Sequence, residues 1–376
     1  MKLHNFLKQK RLIVLTIKLF IIMANSHHLF SAYNQTIRLS DENRQILLTA
    51  RESLRSRMKV AFGKLPEQDR MKHTIEFQSQ GSFVMDTIIK PNKDNFDLDD
   101  GVYFQGNLPE ERRAKPQIFH DLIIRAIDRN NEIEDIEDKS TCVRVKYASK
   151  YSKNNLGFHI DLPIYYAENF ETPELAHTQE GWIESSPVEF IAWFEEKTKS
   201  GFQKAFLYDS LKYAEPFEKW LSDVRKADCQ LRRLVRYLKA WADLKRREMP
   251  SGIIMSILAA NNYVPNERDD ISFRDTLVNI KAELDSNGCK CFRPTPKKGE
   301  DLFATTSAEE KQYFLSALDS FIVSANQAIA NPNTKEACLK WQKHLGDRFP
   351  CHLVPDEANA KSYESPAVFP QNAKNA

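Results

Sequence analysis

In "FDLDDGVYF", Asp97 and Asp99 alternate with Phe96 and Leu98. An extended segment would put both carboxylates on one face and both apolar side chains on the other. Asp161 lies between Ile160 and Leu162 of "FHIDLPIYY" in the same manner. Carboxylates held side by side repel unless a cation separates them. Magnesium suits such a place, because it prefers carboxylate oxygen and keeps positions for water and phosphate. Three such acids can hold two ions for an in-line displacement at phosphorus. Upstream, Gly81 would let the backbone approach a phosphate, and Ser82 at a helix start would add a hydroxyl to free N–H groups. An isolated D-x-D is as readily a hydrated edge strand or turn. Followed by a third strand aspartate and preceded by Gly-Ser, it points to metal-assisted phosphoryl transfer. Asp100 falls on the opposite face and reads as a structural or turn-capping acid.

These groups need a sheet to hold them. "HTIEFQSQGS" reads as a strand ending in a tight turn, with Ser82 capping a short helix through "FVMDTI". "STCVRVKYAS" and "LGFHIDLPIYY" are further strands, and "KPQIFHDLIIRAIDRN" is a helix. The first helix is expected within "LSDENRQILLTARESLRSRMKVAF", capped by Ser40, with Leu47, Leu54 and Met58 on its buried face. Near Gly181 the texture changes: Ser186, Pro187 and Glu189 mark a helix start, and helical periodicity then continues to about Leu353. The expected class is α+β, a mixed-sheet half followed by a helical half.

A chain of 376 residues suggests about two domains, and 41% hydrophobic with 28% charged residues is an ordinary globular composition. With 54 Lys+Arg against 52 Asp+Glu, there is no overall field of the kind a general nucleic-acid binder carries. Six scattered cysteines read as reduced thiols; a zinc site from Cys289, Cys291, Cys338 and the Cys351-His352 pair is the less favoured reading, given the Cys-x-Cys spacing. Residues 1–22 imitate a signal peptide, but Lys18 interrupts the apolar run and no A-x-A pattern follows. They read as an upstream extension of the frame before Met23, so no membrane association is expected. After residue 354 the chain reads as a flexible tail.

In the helical half, Arg232, Arg236 and Lys239 share one helix face, with Arg233 to its side. Such a run by itself is a solvated face. Beside a triphosphate cleft Lys239 is the best candidate, and the arginines stay unassigned. Trp193, Trp241 and Trp341 read as core residues, and His159 as a satisfied structural histidine rather than a general base.

The order QGS, "DLDDG", "HIDLP", with "YLKAWAD", "PSGIIMSILAA" and the Trp341–Phe349 run, resembles the polymerase-β-type nucleotidyltransferases. Among these it is most similar to the bacterial cGAS/DncV-like family (CD-NTases), from about Leu29 to Leu353. The resemblance implies a two-lobed fold, with a nucleotidyltransferase core at 23–183 and a helical lobe at 184–354. It implies Asp97, Asp99 and Asp161 as catalytic metal ligands, and Gln80, Gly81, Ser82, Arg144, Lys239 and Ser251 as nucleotide-binding residues. It further implies two Mg2+ ions, with Mn2+ as an alternative, and a cyclic dinucleotide of the cyclic GMP-AMP kind made from ATP and GTP. The setting would be cytoplasmic antiphage (CBASS) defence, with a cyclic-nucleotide-activated effector downstream and E1/E2-like conjugation at the C-terminal tail. A linear nucleotidyltransferase and a non-catalytic nucleotide or RNA sensor are the alternatives. Base identity and linkage are not readable from these residues.

Overall fold

Strands Ile75–Gln80 (β1), Phe96–Gln105 (β2), Ile133–Asp138 (β3), Cys142–Tyr147 (β4) and Phe158–Ala167 (β5) form a mixed sheet in the order β1-β2-β5-β4-β3. Glu174–His177 (β6) and Gly181–Glu184 (β7) extend it beyond β4 along β5. The computed structural model describes residues 24–70, 73–92, 96–127, 130–151, 157–168, 172–198, 219, 221–223, 228–245, 249–296 and 299–355. β2 and β5 run parallel and the other pairs antiparallel. Their register sets Asp97 beside His159 and Asp99 beside Asp161. Residues two apart share a face, so these four side chains fall on one side of the sheet.

The other side is packed by helices Asp41–Lys64 (α2) and Pro116–Ala126 (α4), with Phe62 and Phe119 against Phe104 at ring-centroid distances of 5.7 and 4.8 Å. Ser40 caps α2 as expected, its hydroxyl accepting from Asn43 N at 3.2 Å. Asp100 turns to this side, where Arg55 Nε donates to Oδ2 at 2.7 Å and the Ser79 hydroxyl to Oδ1 at 3.0 Å. That is the structural role expected of it.

The second half comprises helices Pro187–Thr198 (α5), Gln230–Lys245 (α6), Gly252–Asn262 (α7), Asp269–Asn287 (α8), Ala308–Ala330 (α9) and Thr334–Leu345 (α10). The Ser186 hydroxyl accepts from Glu189 N at 3.3 Å, as the cap predicted. Trp241 and Trp341 are fully buried, and Trp193 packs partly buried at the core's edge.

The structure departs from the sequence reading at several points. A helix over His27–Ile37 (α1) precedes the one expected to be first. Its Phe30 packs edge-on against Tyr237 and Trp341, at 5.1 and 4.9 Å, and its Tyr33 donates to Leu345 O at 3.1 Å. It therefore lies within the helical half, although chain order groups it with the sheet. Arg232 and Arg236 do not lie on a solvated face but are wholly buried. Arg232 pairs with the equally buried Glu195, and Arg236 with Asp228 at 2.5 Å and Asn34 at 2.9 Å. Arg233 forks onto Asp269 with two contacts of 2.7 Å. Guanidinium groups enter a core when acids meet them there: Glu195 comes from α5, Asp269 from α8 and Asp228 from the chain just before α6. Cys338 and Cys351 form a disulfide instead of remaining reduced, which also removes two donors from the zinc reading. Residues 1–22 and the tail beyond Pro355 lie outside the described residues. Among the described residues no helix is long and apolar enough to cross a membrane.

Candidate active site

β1 leads straight into a short helix, Gly81–Val84 (α3), and the turn lies over the carboxylate of Asp99. Gly81 has φ +68°, and a Cβ there would come within 2.0 Å of Asp99 Oδ2. Glycine is needed twice, for the left-handed backbone and for the close approach. Ser82 falls inside the first turn of α3 instead of capping it; Gln80 holds the cap position. Gly81→Ala is expected to cost about 1–2 kcal/mol from the backbone alone. Displacement of Asp99 should lower turnover by about 100-fold. Kinetics and a urea titration check both; unchanged turnover would remove Gly81 from the site.

Gln80, Gly81, Ser82, Asp97, Asp99 and Lys239 line one cleft of about 530 Å3, closed on the other side by α5, α7 and the Arg293–Pro296 loop. Six of the residues singled out by sequence thus meet in one cavity. Asp161 sits one strand further in, where Arg144 forks onto it: Nε to Oδ1 at 2.7 Å and Nη2 to Oδ2 at 2.8 Å. Arg144, expected to reach nucleotide, is here bonded to an expected metal ligand, and its pKa is raised by those hydrogen bonds. Ser251 is exposed at the N-terminus of α7, between the cleft-lining Pro250 and Gly252. Gln80 Nε2 donates to Tyr165 Oη at 3.0 Å, which fixes the amide beside the glycine turn.

The electrostatics are those of a site short of positive charge. Asp99 is pushed well above the carboxylate range, chiefly by burial and then by Asp97 and Asp161. Asp97, His159 and Asp161 bring ligand atoms within 4.8 Å of one another. His159 is held below its usual value by burial, which outweighs the pull of Asp161. Lys239 crosses the cleft from α6 and donates to Thr87 O and Oγ1 at 3.3 and 3.2 Å. Gly252 makes room for it, since a Cβ there would lie 3.3 Å from Lys239 Cε. Burial lowers the Lys239 pKa to about 8, against the opposing pull of Asp97 and Asp99. The ammonium is therefore full below that pH and lost above it. The Kd for a non-hydrolysable triphosphate should weaken about tenfold between pH ~7 and ~9, by loss of a charged hydrogen bond. Lys239→Arg should flatten that profile, and a profile the same in both proteins would show that Lys239 does not hold phosphate.

Thr87, Tyr165 and the Arg293–Pro296 loop are site residues that the sequence did not announce. Thr87 and Tyr165 carry no motif of their own. The loop is brought to the cleft by folding, in part through the Thr295 hydroxyl donating to Glu189 at 2.6 Å.

A sheet with paired aspartates behind a glycine turn, faced across a cleft by a helical lobe, is the arrangement of a polymerase-β-type nucleotidyltransferase fold. Residues 75–165 match the family described as "Cyclic GMP-AMP synthase DncV-like, nucleotidyltransferase domain". Over those residues, and more weakly over the rest of its length, the chain is similar to the bacterial cGAS/DncV-like nucleotidyltransferases. It is 26% identical over 245 residues to a cyclic GMP-AMP synthase of Escherichia albertii, covering 62% of this chain and 46% of that protein. A cyclic GMP-AMP synthase of Escherichia coli (strain TW11681) is 24% identical over 279 residues, covering 66% of this chain and 61% of that protein. The match thus spans less than two thirds of either relative. In fold it is similar to GTP-bound Vibrio cholerae DncV, with TM-score 0.68 and 19% identity over 87% of this chain and 96% of that one.

Proposed function

We propose that the protein joins ATP and GTP into a cyclic dinucleotide of the cyclic GMP-AMP kind, releasing one pyrophosphate at each bond. The observation that carries this is the meeting of Asp97, Asp99, Gly81, Ser82 and Lys239 in one cleft. Two of the chain's relatives are named cyclic GMP-AMP synthases, and a similar V. cholerae DncV structure holds the linear intermediate pppA(3′,5′)pG.

The donor set fits divalent ions: Asp97, Asp99 and Asp161 offer oxygen ligands, and their mutual repulsion asks for a cation. Two Mg2+ ions, with Mn2+ as the alternative, would neutralise charge on the leaving pyrophosphate and acidify the attacking ribose hydroxyl. The chain's own groups do the positioning. Gly81 and Ser82 border the donor's phosphates, and Lys239 meets them from the helical lobe. Ser251 stands at the same rim. Arg144 holds Asp161 in orientation until substrate and metal enter. The same residues serve both bonds once the linear intermediate has turned round in the cleft.

This reading carries a cytoplasmic setting in antiphage defence. A cyclic-nucleotide-activated effector would lie downstream, and the C-terminal tail would be a place for E1/E2-like conjugation. The test is to incubate purified protein with magnesium and all four ribonucleoside triphosphates, labelling one at a time. Phosphatase treatment and mass spectrometry follow. A resistant species lacking terminal phosphate and containing adenine and guanine is expected. Linear products alone would replace cyclisation by chain elongation, and no turnover with any nucleotide would favour a sensor.

A further inference from the structure

His159 departs from the structural role that its sequence context suggests. It is 8% exposed, yet no hydrogen bond engages either ring nitrogen among the described residues. The comparison within the molecule is His120, fully buried, whose Nδ1 contacts Asp138 at 2.6 Å and Nε2 contacts Ala176 O at 2.9 Å. The His159 nitrogens are not sealed in the core, so the ring keeps a lone pair free for a ligand entering the cleft. Nε2 lies 3.9 Å from Asp161 Oδ2, too long for a hydrogen bond. The parallel register sets His159 directly beside Asp97, two residues before Asp161 on the same face. One ligand atom from each of Asp97, His159 and Asp161 falls within 4.8 Å of the other two. Small side-chain rotations would close that triangle on one ion with bonds of about 2.0–2.2 Å.

We propose that His159 is a direct ligand of a divalent ion shared with Asp97 and Asp161, giving the site a nitrogen donor that favours Mn2+ over Mg2+. The inference rests on the metal-site reading above and deepens it. Oxygen-only sites suit magnesium, whereas an imidazole nitrogen shifts preference toward first-row transition ions. The same placement gives Arg144 a competitor, because an ion on Asp161 must share or displace the guanidinium fork.

The test is pulsed electron paramagnetic resonance of the full-length protein with one equivalent of Mn2+ and no nucleotide, alongside Mn2+ and Mg2+ titrations. Modulation from a coordinated imidazole nitrogen is expected. It should change isotope signature when histidine is 15N-labelled and vanish in His159→Gln. In that variant Mn2+ affinity should fall by about tenfold or more while Mg2+ affinity moves far less. The labelled wild-type spectrum needs no variant, so a misfolded His159→Gln would not spare the proposal. Mn2+ binding without nitrogen modulation would overturn the role of His159 and leave the carboxylate site standing. Modulation that persists in His159→Gln would place the ligand on another histidine. No Mn2+ binding by the wild type would overturn both this inference and the metal-site reading.

Discussion

Asp99→Asn should abolish turnover and, in the same protein, raise the Tm of the metal-free state. The first effect follows from removing an anionic ligand of the proposed metal site. Metal ions contribute several kcal/mol of transition-state charge stabilisation, so a loss of about a thousandfold or more is expected. The second follows from repulsion. Asp99 is forced above the ordinary carboxylate range by burial, with Asp97 and then Asp161 adding to it. A carboxyl whose folded pKa is raised holds its proton more tightly in the folded state than in the unfolded one. Its ionisation therefore costs stability. That cost is present in full above the folded pKa, falls as pH drops through it, and is gone below the unfolded value. Asparagine removes the cost at neutral pH, while Gly81 still faces a side chain of the same shape. A rise of a few °C is expected, since about 1 kcal/mol moves Tm by ~2–4 °C in domains of 150–250 residues. Scans in EDTA across pH, paired with product assays, check it: the gain should shrink toward acid pH. A variant that keeps wild-type turnover, or loses stability at neutral pH, would contradict the account of this site.

Asp86→Ala is expected to be the most destabilising single change near the cleft. Asp86 is fully buried at φ +53°, just beyond the glycine turn. Arg38 Nη2 meets its Oδ2 at 2.7 Å, Arg44 bonds to Oδ1, and Arg236 Nη1 lies 3.5 Å from Oδ2. Those arginines come from the chain after α1, from α2 and from α6, so one carboxylate ties both halves to the segment behind the glycine turn. Alanine would leave cationic groups inside the protein without their shared anion. Breaking a buried pair in this way costs about 3–5 kcal/mol. Asp86→Asn, which keeps one acceptor oxygen and tolerates a left-handed backbone, should cost less than Asp86→Ala although its NH2 would face an arginine. Urea denaturation of both variants measures the difference. A midpoint for Asp86→Ala within error of wild type would mean that the arginines find other acceptors.

What the sequence disclosed and what it hid divide along a physical line. The alternation of Phe96 and Leu98 with Asp97 and Asp99 placed the acids correctly, because strand period and burial are local properties. Helix starts at Ser40 and Ser186 were legible for the same reason. Gly81 was legible as the residue of a tight turn, but not the contact with Asp99 that makes its missing Cβ necessary. Long-range partnership was out of reach. Nothing near Arg232 announces Glu195, and nothing near Cys338 announces Cys351. α1 escaped because its apolar residues answer to Tyr237, Trp341 and Phe349, far along the chain. β3, "IEDIED", lacks the apolar content of a strand because it is an edge strand, paired on one side only among the described residues.

α1 packs with the helical half while α2 packs on the sheet, so the chain crosses between the halves after Ile37 and again before Pro187. The first crossing is pinned, with Lys90 N donating to Ile37 O at 2.7 Å and Arg38 bridged to Ile89. The second runs past Ser185 and Ser186, on the wall of the cleft. One tether would allow the halves to swivel in any direction. Two leave rotation only about the line that joins them, as covers turn on a spine. Opening about that line would admit substrates, whereas a twist of one half against the other would strain both crossings. In the proposed reaction, a linear intermediate that reversed before its second bond would do the turning itself, between walls that keep their bearing.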